Sequence, residues 1–503
     1  MKRSIYILSI VFGLSLISCE EILDIKPMNS INAADALNTI GGAEATLMAA
    51  YSNLQTSGDY GRGNLAIPEL LADNGKAAFA HTNIYISHWQ NTPGNHMNNW
   101  STGYQVIRNA NFVIDAVDDI PEVAAGDAYK KRLLKGEAYF LRGWQHFDVA
   151  RVYSREPNHL VPGFDLGVVI MTGPFRYDGT NIGDVEAARS TVLETYQQVE
   201  SDLNMAFELL NGNDEGNFPN RGNALAAKAM LARVYIYWER FDDAIEAATW
   251  VINNAASYGI QIETGNFLDV FAKGTEAIFQ LKFMEVDNLM NSSIQAYYHR
   301  SIVTSPDPDD PGQWYLDKRE GGGVGEILFS LALYNSMDDN DKRKSVMKKV
   351  KHNYLASPEE GIWLYKFTGA NGSFGLDNIP LMRLSEMYLI RAEAYARRPN
   401  PNESLALGDL NTIRNARGLD DASAGGQELR DLILHERRLE FIGEGHRFFD
   451  LKRQGLPIWK SEESIEAGRS TLDWDDYRVV ARIPPGEVGE DGTNPNMIQN
   501  PGH

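Results

Sequence analysis

The chain has 503 residues, 43% of them hydrophobic, which is enough to bury a large core, and its formal charge is −21. Such an acidic protein is a poor partner for nucleic acid, because that affinity depends on neutralising phosphates. A polyanionic ligand is disfavoured for the same reason, although a local basic patch can overrule the average. The length allows two or three domains as a prior.

The N-terminus has the layout of a secretory signal that ends at the only cysteine of the chain. Two basic residues precede an uncharged stretch, residues 5–17, which is shorter than the roughly 20 apolar residues of a membrane span. The stretch ends in Leu-Ile-Ser-Cys19, which resembles a bacterial lipobox, where the thiol is lipidated and the preceding peptide bond is cut. The alternative is that Cys19 is a small residue near an ordinary cleavage site.

We expect lipid on Cys19 to hold the mature chain at a membrane surface. Each buried CH₂ contributes roughly 0.8 kcal/mol, and two or more acyl chains anchor a protein stably where one does not. Glu20 and Glu21 resemble the export tag that sends lipoproteins to the cell exterior in Bacteroidetes-type bacteria, or else they form a solvated linker. The predicted division of the chain is a lipoprotein signal peptide over residues 1–18, a lipidated tether over 19–35 and a single domain over 36–503.

Helical periodicity recurs along that domain and predicts a mainly helical protein. Apolar side chains repeat at helical spacing over residues 43–54, 129–153 and 190–210, and no run of comparable length alternates with period two. The third segment opens with Ser190 and has Glu194 in its first turn. The stripe predicted to face the core of this segment consists of Leu193, Tyr196, Val199, Leu203 and Phe207.

Two segments have the spacing of a tetratricopeptide repeat, in which small residues let two antiparallel helices approach closely. Residues 224–254 and 387–418 carry this pattern. Its members are Ala232, Tyr235, Phe241, Ala244 and Ala248 in the first copy and Ala392, Tyr395 and Ala406 in the second. Two degenerate copies far apart in the chain indicate a helical scaffold interrupted by long insertions, not a regular solenoid.

Three insertions, at about residues 57–100, 282–325 and 357–380, are rich in Gly, Asn, Pro or Asp. Long loops inside a compact domain are usually functional, so we expect the ligand site there. Each insertion also carries aromatic residues, namely Tyr85, Trp89, Tyr297, Tyr298, Trp314, Tyr315, Trp363 and Tyr365.

Apparent catalytic motifs fail on inspection. The segment HERRL at His435 lacks the second histidine of a zinc protease helix, and GGGVGE at Gly321 lacks the last glycine of a dinucleotide loop. A calcium-like loop at Asp307 has Lys318 where the bidentate glutamate belongs. We therefore predict no enzyme, no catalytic residue, no metal and no cofactor.

The C-terminal third carries the most specific pattern. The segments LMRLSEMYLIRAEAYARR, LNTIRNARGL and LILHERRLEFIGEGHRFFDLKRQG resemble SusD/RagB-type outer-membrane lipoproteins, and so does the lipobox. The resemblance spans essentially the whole mature chain, and its most specific part is the block from Glu436 to Leu451. The charged residues of this block alternate in sign, so we interpret them as ion pairs of the scaffold and not as sugar contacts.

This resemblance implies an all-α SusD-like fold, with tetratricopeptide-like helix pairs packed against a loop-rich irregular half. It also implies a function. Relatives lie at the outer surface of Gram-negative Bacteroidetes, bind oligosaccharides and deliver them to a SusC-like TonB-dependent transporter, with no covalent chemistry. Localisation at the outer membrane, lipid-anchored and exposed at the cell surface, is the corresponding expectation.

A sugar ring presents an apolar C–H face and a rim of hydroxyl groups, so its site needs flat aromatic rings and polar side chains. Family members often place an acidic residue such as Asp73 and an aromatic such as Trp89 near the ligand. For each aromatic the alternative is packing within a loop or contact with the transporter. The full set of predicted glycan contacts is Arg62, Asp73, Asn74, His88, Trp89, Trp314, Tyr315 and Trp363.

Several alternatives stay open from the sequence. The acidic balance favours a neutral glycan over an alginate-like polyanion. The same import function could serve peptide or glycoprotein cargo, and the chain could be a structural lid whose transporter holds the specificity. A secreted glycoside hydrolase would need two carboxylates about 5 to 10 Å apart in a cleft.

Overall fold

The computed structural model describes residues 37–78, 83–173, 187–212, 218–299, 305–306, 314–315, 324–352, 359–489 and 494–503. Only the backbone is described at residues 305–306, 314–315, 350–352 and 359–360. The predicted signal peptide, Cys19 and the predicted tether lie outside these ranges. Within them, no helix has both the length and the apolar character required to cross a membrane.

The described chain is mainly helical, as its periodicity predicts. Its α-helices are α1 (Ile40–Leu54), α2 (Gly63–Leu71), α3 (Ile86–Trp89), α4 (Trp100–Ala116), α5 (Asp127–Tyr153), α6 (Val192–Leu210), α7 (Ala224–Tyr237), α8 (Phe241–Asn254), α9 (Asp269–Ala272), α10 (Ile294–Tyr298), α11 (Leu331–Ser336), α12 (Leu384–Arg397), α13 (Glu403–Ala416), α14 (Gly426–Glu440), α15 (Arg447–Lys452), α16 (Glu462–Glu466) and α17 (Pro485–Val488).

The strands are short and follow no long alternating pattern. They are β1 (Gly75–Ala77), β2 (Ala277–Leu281), β3 (Ser305–Pro306), β4 (Trp314–Tyr315), β5 (Ile327–Phe329), β6 (Met347–His352), β7 (Glu359–Leu364) and β8 (Ile379–Arg383). Strands β2 and β8 form an antiparallel pair, and the other six form one sheet.

The long helices form one layered array. Each packs on the next in the order α1, α4, α5, α6, α7, α8, α12, α13, and α14 closes the array against α12 and α13. Antiparallel neighbours with buried small residues allow this close stacking. Helix α5 illustrates the arrangement, since nearly all of its second half, from residue 140 to residue 153, is buried between α4 and α6.

The two predicted repeat copies are confirmed as helix hairpins, α7–α8 and α12–α13. Ala232, Ala244 and Ala248 are fully buried where the first pair crosses. The two hairpins lie far apart in the chain, yet α8 packs directly on α12, and Arg391 Nη1 donates to Thr249 Oγ1 at 3.0 Å. The copies therefore belong to one continuous stack.

Helix α6 begins later than its sequence pattern suggests. Thr191 and Glu194 form a capping box, in which Thr191 Oγ1 accepts from the Glu194 amide at 3.1 Å and Glu194 Oε2 accepts from the Thr191 amide at 2.9 Å. The helix thus starts at Val192, and the predicted opening at Ser190 is early. Leu193, predicted to face the core, is 50% exposed, whereas its neighbour Val192 is buried. Successive side chains of a helix point roughly 100° apart, so the two residues lie on different faces.

The six-stranded sheet joins the three insertions. Its order is β1-β5-β7-β6-β4-β3, with β4 and β6 parallel and the other neighbours antiparallel. Strand β1 comes from the first insertion, β3 and β4 from the second, and β7 from the third. The strands of the insertions therefore belong to one sheet, and runs of two to six residues are too short to reveal a strand by alternation.

The charged block that carries the family resemblance lies in α14, α15 and the turn between them. Glu440 is fully buried and pairs with Arg383 Nη1 at 3.0 Å and Arg417 Nη2 at 2.7 Å. Asp450 pairs with Arg437 at 3.0 Å and with Arg453 at 2.8 Å. These buried, hydrogen-bonded pairs confirm that the charges of Glu440, Arg437 and Asp450 hold the scaffold together.

Candidate functional site

The short helix α10 connects the helical half to the sheet and carries three consecutive rings with different neighbours. Ser293 caps it by accepting from the Ala296 amide at 3.3 Å, and the Ile294 amide donates to the Gly61 carbonyl at 3.0 Å. Tyr298 points into the core, where its ring meets that of Phe329 at 5.1 Å. The two flanking rings lie toward the insertions.

The first flanking ring, Tyr297, holds Arg62. The guanidinium carbon of Arg62 lies 4.1 Å from the Tyr297 ring centre and 5.9 Å from that of Tyr85. The two tyrosine rings meet edge to face at 5.6 Å. Arg62 Nη1 also donates to the Ser292 carbonyl at 3.2 Å. Within the described residues Arg62 forms no ion pair, so its half-buried charge is held by π faces and a carbonyl.

His88 extends this cluster. Its ring lies 5.7 Å from Tyr85 in an edge-to-face arrangement, and the residue is half-buried. Burial lowers the pKa of His88, which favours the neutral imidazole at physiological pH. Burial likewise raises the pKa of Tyr85 to about 12, against the opposing charge of Arg62. The cluster therefore offers one cationic donor and one neutral imidazole beside aromatic rings.

The second flanking ring, His299, forms a platform with Tyr365. The two rings stack 4.0 Å apart at an interplanar angle of 19°. Lys348 Nζ, on β6, lies 4.4 Å from the Tyr365 ring centre. His299 is buried, whereas Tyr365 and Lys348 are half-buried. A half-exposed ring beside a cation suits a ligand that has both an apolar face and hydroxyl groups.

Gly61 allows α10 to approach Arg62 closely. A Cβ atom at this position would lie 2.4 Å from Leu289 Cδ1, 2.5 Å from the Gln55 carbonyl oxygen and 2.7 Å from the Thr56 carbonyl oxygen. Two of these atoms belong to the backbone and cannot move aside at low cost. The absence of a side chain at Gly61 thus sets the position of the Arg62–Tyr297 pair.

The structure places Asp73 and Asn74 in a buried salt bridge behind this region. Asp73 binds Arg447 at 2.7 Å and Arg438 at 3.2 Å. Burial alone would raise the pKa of Asp73, but the charges of Arg447 and Arg438 outweigh it and leave the pKa below its ordinary value. Asn74 accepts from Arg438 Nε at 2.8 Å and donates to Glu69 at 2.6 Å. These contacts fix the turn between α2 and β1.

Trp89 and Trp363 are buried. Trp89 is 2% exposed, donates from Nε1 to Ser464 Oγ at 2.8 Å, and has the guanidinium of Arg469 5.0 Å from its ring. Trp363 is fully buried on β7, where it packs with Ala78 and Leu328. In this structure neither indole presents a face to solvent, and both line the layer beneath the insertions.

Trp314 and Tyr315 form β4, and their side chains lie outside the described part of the structure. Their backbone pairs in parallel with Val350 and Lys351 of β6, two strands away from Trp363 on β7. The predicted contacts thus fall into separate groups. Arg62 and His88 both lie beside Tyr85, Asp73 and Asn74 share a salt-bridge network, and the three sheet residues belong to one sheet.

Sequence reasoning missed Tyr297 and Tyr365 as members of the predicted set, although both are aromatics of the insertions. The alternation of Trp363 and Tyr365 places the two rings on one face of the extended segment, a signal that was available. No sequence signal connects Tyr297 to Arg62, because their contact depends on α10 packing against the Gly61 turn.

Comparison with known proteins agrees with this architecture. A family model described as "Starch-binding associating with outer membrane" (SusD-like) matches residues 23–236, and a "SusD family" model matches residues 348–503. The chain is similar to SusD-like protein P38 of Formosa agariphila, with 25% identity over 481 residues that cover 88% of this chain and 89% of that protein.

Solved structures show the same fold. A SusD superfamily protein from Bacteroides thetaiotaomicron superposes with a TM-score of 0.75 at 27% identity, covering 92% of this chain and 100% of that one. A laminarin-binding SusD-like protein has a TM-score of 0.69 at 20% identity over 92% of this chain and 99% of its own. The helical array with its attached sheet therefore defines an all-α protein of the SusD-like class. The chain belongs to the SusD/RagB family.

Proposed function

We propose that this protein is a non-enzymatic, cell-surface glycan-binding lipoprotein. Within that function the glycan lies against half-buried groups of the insertions, namely Arg62, His88 and Tyr365, and against Lys348 of strand β6, with Trp314 and Tyr315 as further contacts. Asp73, Asn74, Trp89 and Trp363 form the layer behind these contacts. The observation that carries the proposal is that α10 holds both the Arg62–Tyr297 pair and the His299–Tyr365 stack in a protein of this family.

The chemistry of these groups supports a saccharide. Arg62 supplies planar N–H donors for hydroxyl groups, and the half-buried Tyr365 ring supplies apolar surface at its exposed part. The name of the laminarin-binding relative points to the same ligand class. We expect modest affinity, in the micromolar to millimolar range, or roughly −4 to −8 kcal/mol.

We further propose that the bound oligosaccharide passes to a SusC-like TonB-dependent transporter and that Cys19 carries the lipid anchor at the outer membrane. Family membership and the lipobox-like Leu-Ile-Ser-Cys19 support this proposal. In the native bacterium, Cys19→Ser should move the protein from the membrane fraction to the soluble fraction. Membrane retention of that variant would contradict the anchor.

The test of glycan binding is calorimetry and affinity electrophoresis of the mature chain with laminarin, starch, levan, xylan and mannan. Arg62→Ala and Tyr365→Ala should each weaken binding of the recognised glycan by about tenfold, or about 1.4 kcal/mol. Arg108→Ala, at an exposed arginine on α4, is the matched control and should leave binding unchanged. Trp89→Ala and Trp314→Ala, run beside them, test the remaining sequence-based contacts. Binding that survives both Arg62→Ala and Tyr365→Ala would place the site elsewhere.

A further inference from the structure

A concave region lies beside Arg438 and Arg447, the two arginines that pair with Asp73. It is a cavity of about 570 Å³ between one face of α14 and the chain that follows α15. This volume falls within the roughly 300–1,000 Å³ range of small-ligand pockets. It shares none of its lining residues with the cluster around Arg62 and Tyr365.

The lining of this cavity is basic in a chain whose overall charge is strongly negative. Four arginines line it, Arg397, Arg430, Arg438 and Arg447, against the single carboxylate Asp431. A local patch of this kind attracts an anion even where the net charge is unfavourable, because nearby charges dominate a screened potential.

The carboxylates behind the wall neutralise these arginines only in part. Arg397 pairs with both Glu393 at 3.0 Å and Glu239 at 2.5 Å, but Arg438 and Arg447 share the one carboxylate of Asp73. Arg430 is exposed, donates to the Gly426 carbonyl at 3.3 Å and forms no ion pair in the described chain. The cavity therefore keeps an excess of positive charge around Arg430, Arg438 and Arg447.

Arg447 has a guanidinium nitrogen that its carboxylate partner does not satisfy. It is 5% exposed, its Nε and Nη2 both bind Asp73, and its buried Nη1 has no hydrogen-bond partner among the described residues. A buried donor without a partner is costly, so an acceptor supplied by a ligand would be favourable there. Burial also lowers the pKa of Arg438, in spite of the nearby Asp73, which agrees with incomplete neutralisation.

An aromatic ring stands at the same cavity. Trp459 is 37% exposed, and the Arg447 guanidinium carbon lies 5.4 Å from its ring. Gln427 and Gln454 line the cavity as well and bring amide groups that can bond hydroxyls. An indole platform with arginines and amides matches a pyranose ring that bears an anionic substituent. It fits an acidic peptide less well, since such a peptide has no flat apolar face.

We propose that this cavity binds an acidic saccharide unit, a uronic acid or a sugar sulfate ester, with Trp459 against the ring and Arg430 and Arg447 toward the anion. The proposal rests on glycan binding as the function of the protein. It adds a second site and an anionic ligand class, which the net charge of the sequence disfavours.

The test is calorimetry of the mature chain with short oligogalacturonates and with sulfated galactan oligomers, the two sources of the anion. Binding of one of them should weaken by at least about tenfold between about 0.05 and about 0.5 M NaCl, because the interaction is ionic. Trp459→Ala and Arg430→Gln should each weaken it by about tenfold, and Trp459→Phe should restore most of the loss. Both positions are exposed, so these variants fold, and Arg108→Gln is the charge-matched control that should bind as the wild type does.

The outcomes separate this proposal from glycan binding at the insertions. If neutral glycans bind through Arg62 and Tyr365 while no acidic oligomer binds, or acidic binding ignores both Trp459→Ala and Arg430→Gln, the acidic site is wrong and the proposed function stands. If no saccharide of either kind binds, both fail. Equal binding of short oligoglutamate, lost in the same variants, would overturn the saccharide assignment in favour of an acidic peptide.

Discussion

The helical array and the insertion layer, formed by the segments at residues 57–100, 282–325 and 357–380, surround arginine in opposite ways. In the array, Arg383 contacts three carboxylates, those of Glu276, Glu440 and Glu444, at 2.8 to 3.1 Å. In the insertion layer, Arg62 contacts the faces of two tyrosine rings and one backbone carbonyl. The first guanidinium has its hydrogen-bonding capacity filled from within the protein. The second keeps donors that a ligand can use.

Paired charges belong to the scaffold, whereas a charge without a carboxylate partner is a candidate for ligand binding. Fully paired charges at the junction of α12, α13 and α14 fix the relative positions of segments that lie far apart in the chain. A cation held by π faces and one carbonyl, with no carboxylate partner, contributes little to the stability of its own fold, so its position is better explained by an external partner. Substitutions in the array should therefore change the free energy of unfolding, and substitutions in the insertions should change ligand affinity.

The largest expected effect is on the array. Glu440→Gln removes a carboxylate that Arg383 and Arg417 both contact, and it leaves two buried cations short of a partner. We expect the free energy of unfolding to fall by about 3–5 kcal/mol, measured by urea denaturation. The matched control is Asp243→Asn, which breaks the half-exposed pair with Arg240 and should cost at most about 1 kcal/mol. Equal losses in the two variants would contradict the contrast between buried and exposed pairs.

The next effect concerns pH and the junction between the two regions. Glu69 is fully buried on α2, and burial raises its pKa to about 7, although hydrogen bonds from Asn74 and the Gly445 amide oppose the rise. Because the folded state holds the Glu69 proton more tightly than the unfolded state does, this proton contributes its full stabilisation below about pH 4.5, and the contribution is lost as the pH rises from there through about 7.

Glu69→Gln should remove this pH dependence. Wild-type stability should fall relative to the variant by on the order of 2–3 kcal/mol between pH 5 and pH 8, followed by urea denaturation at each pH. Parallel pH profiles for the two proteins would show that Glu69 keeps an ordinary pKa.

The third prediction tests the close approach that positions the site. Gly61→Ala would force a methyl group within 2.7 Å of two backbone oxygens, so α10 must shift. We expect a loss of about 1–3 kcal/mol in stability together with loss of glycan binding. Gly41→Ala is the control, since no atom lies within 4 Å of the added methyl group and alanine favours the first turn of α1. If Gly61→Ala binds the glycan as the wild type does, glycan binding does not depend on the position of α10.

The smallest expected effect on stability is at Arg62. Arg62→Ala removes contacts with two rings and one carbonyl at a half-buried position, so the free energy of unfolding should change by less than about 1 kcal/mol. The same variant should weaken glycan binding by about tenfold, measured by calorimetry. A large stability loss with unchanged binding would assign Arg62 to the scaffold and remove the contrast with Arg383.

Local physical chemistry in the sequence was sufficient for the helices and the family. Helical spacing predicted α1, α5, α6 and the hairpins α7–α8 and α12–α13. Each of these helices buries one face, and the apolar residues of that face repeat every three to four positions within a single segment of the sequence. Capping chemistry also predicted the start of α6 to within two residues. The alternating charges of Glu436 to Leu451 predicted scaffold ion pairs, and Glu440 and Asp450 are buried in such pairs.

Contacts between distant segments were decided only by the tertiary structure. The sheet that joins the three insertions, the stacking of α8 on α12, and the pairing of Asp73 with Arg447 all link residues whose separation leaves no periodic trace. The same holds for the basic cavity beside Trp459, where four arginines that are dispersed in an acidic chain meet on one wall. Composition sums charge over the whole molecule, whereas a ligand responds to the few charges within a screening length, and only folding decides which those are.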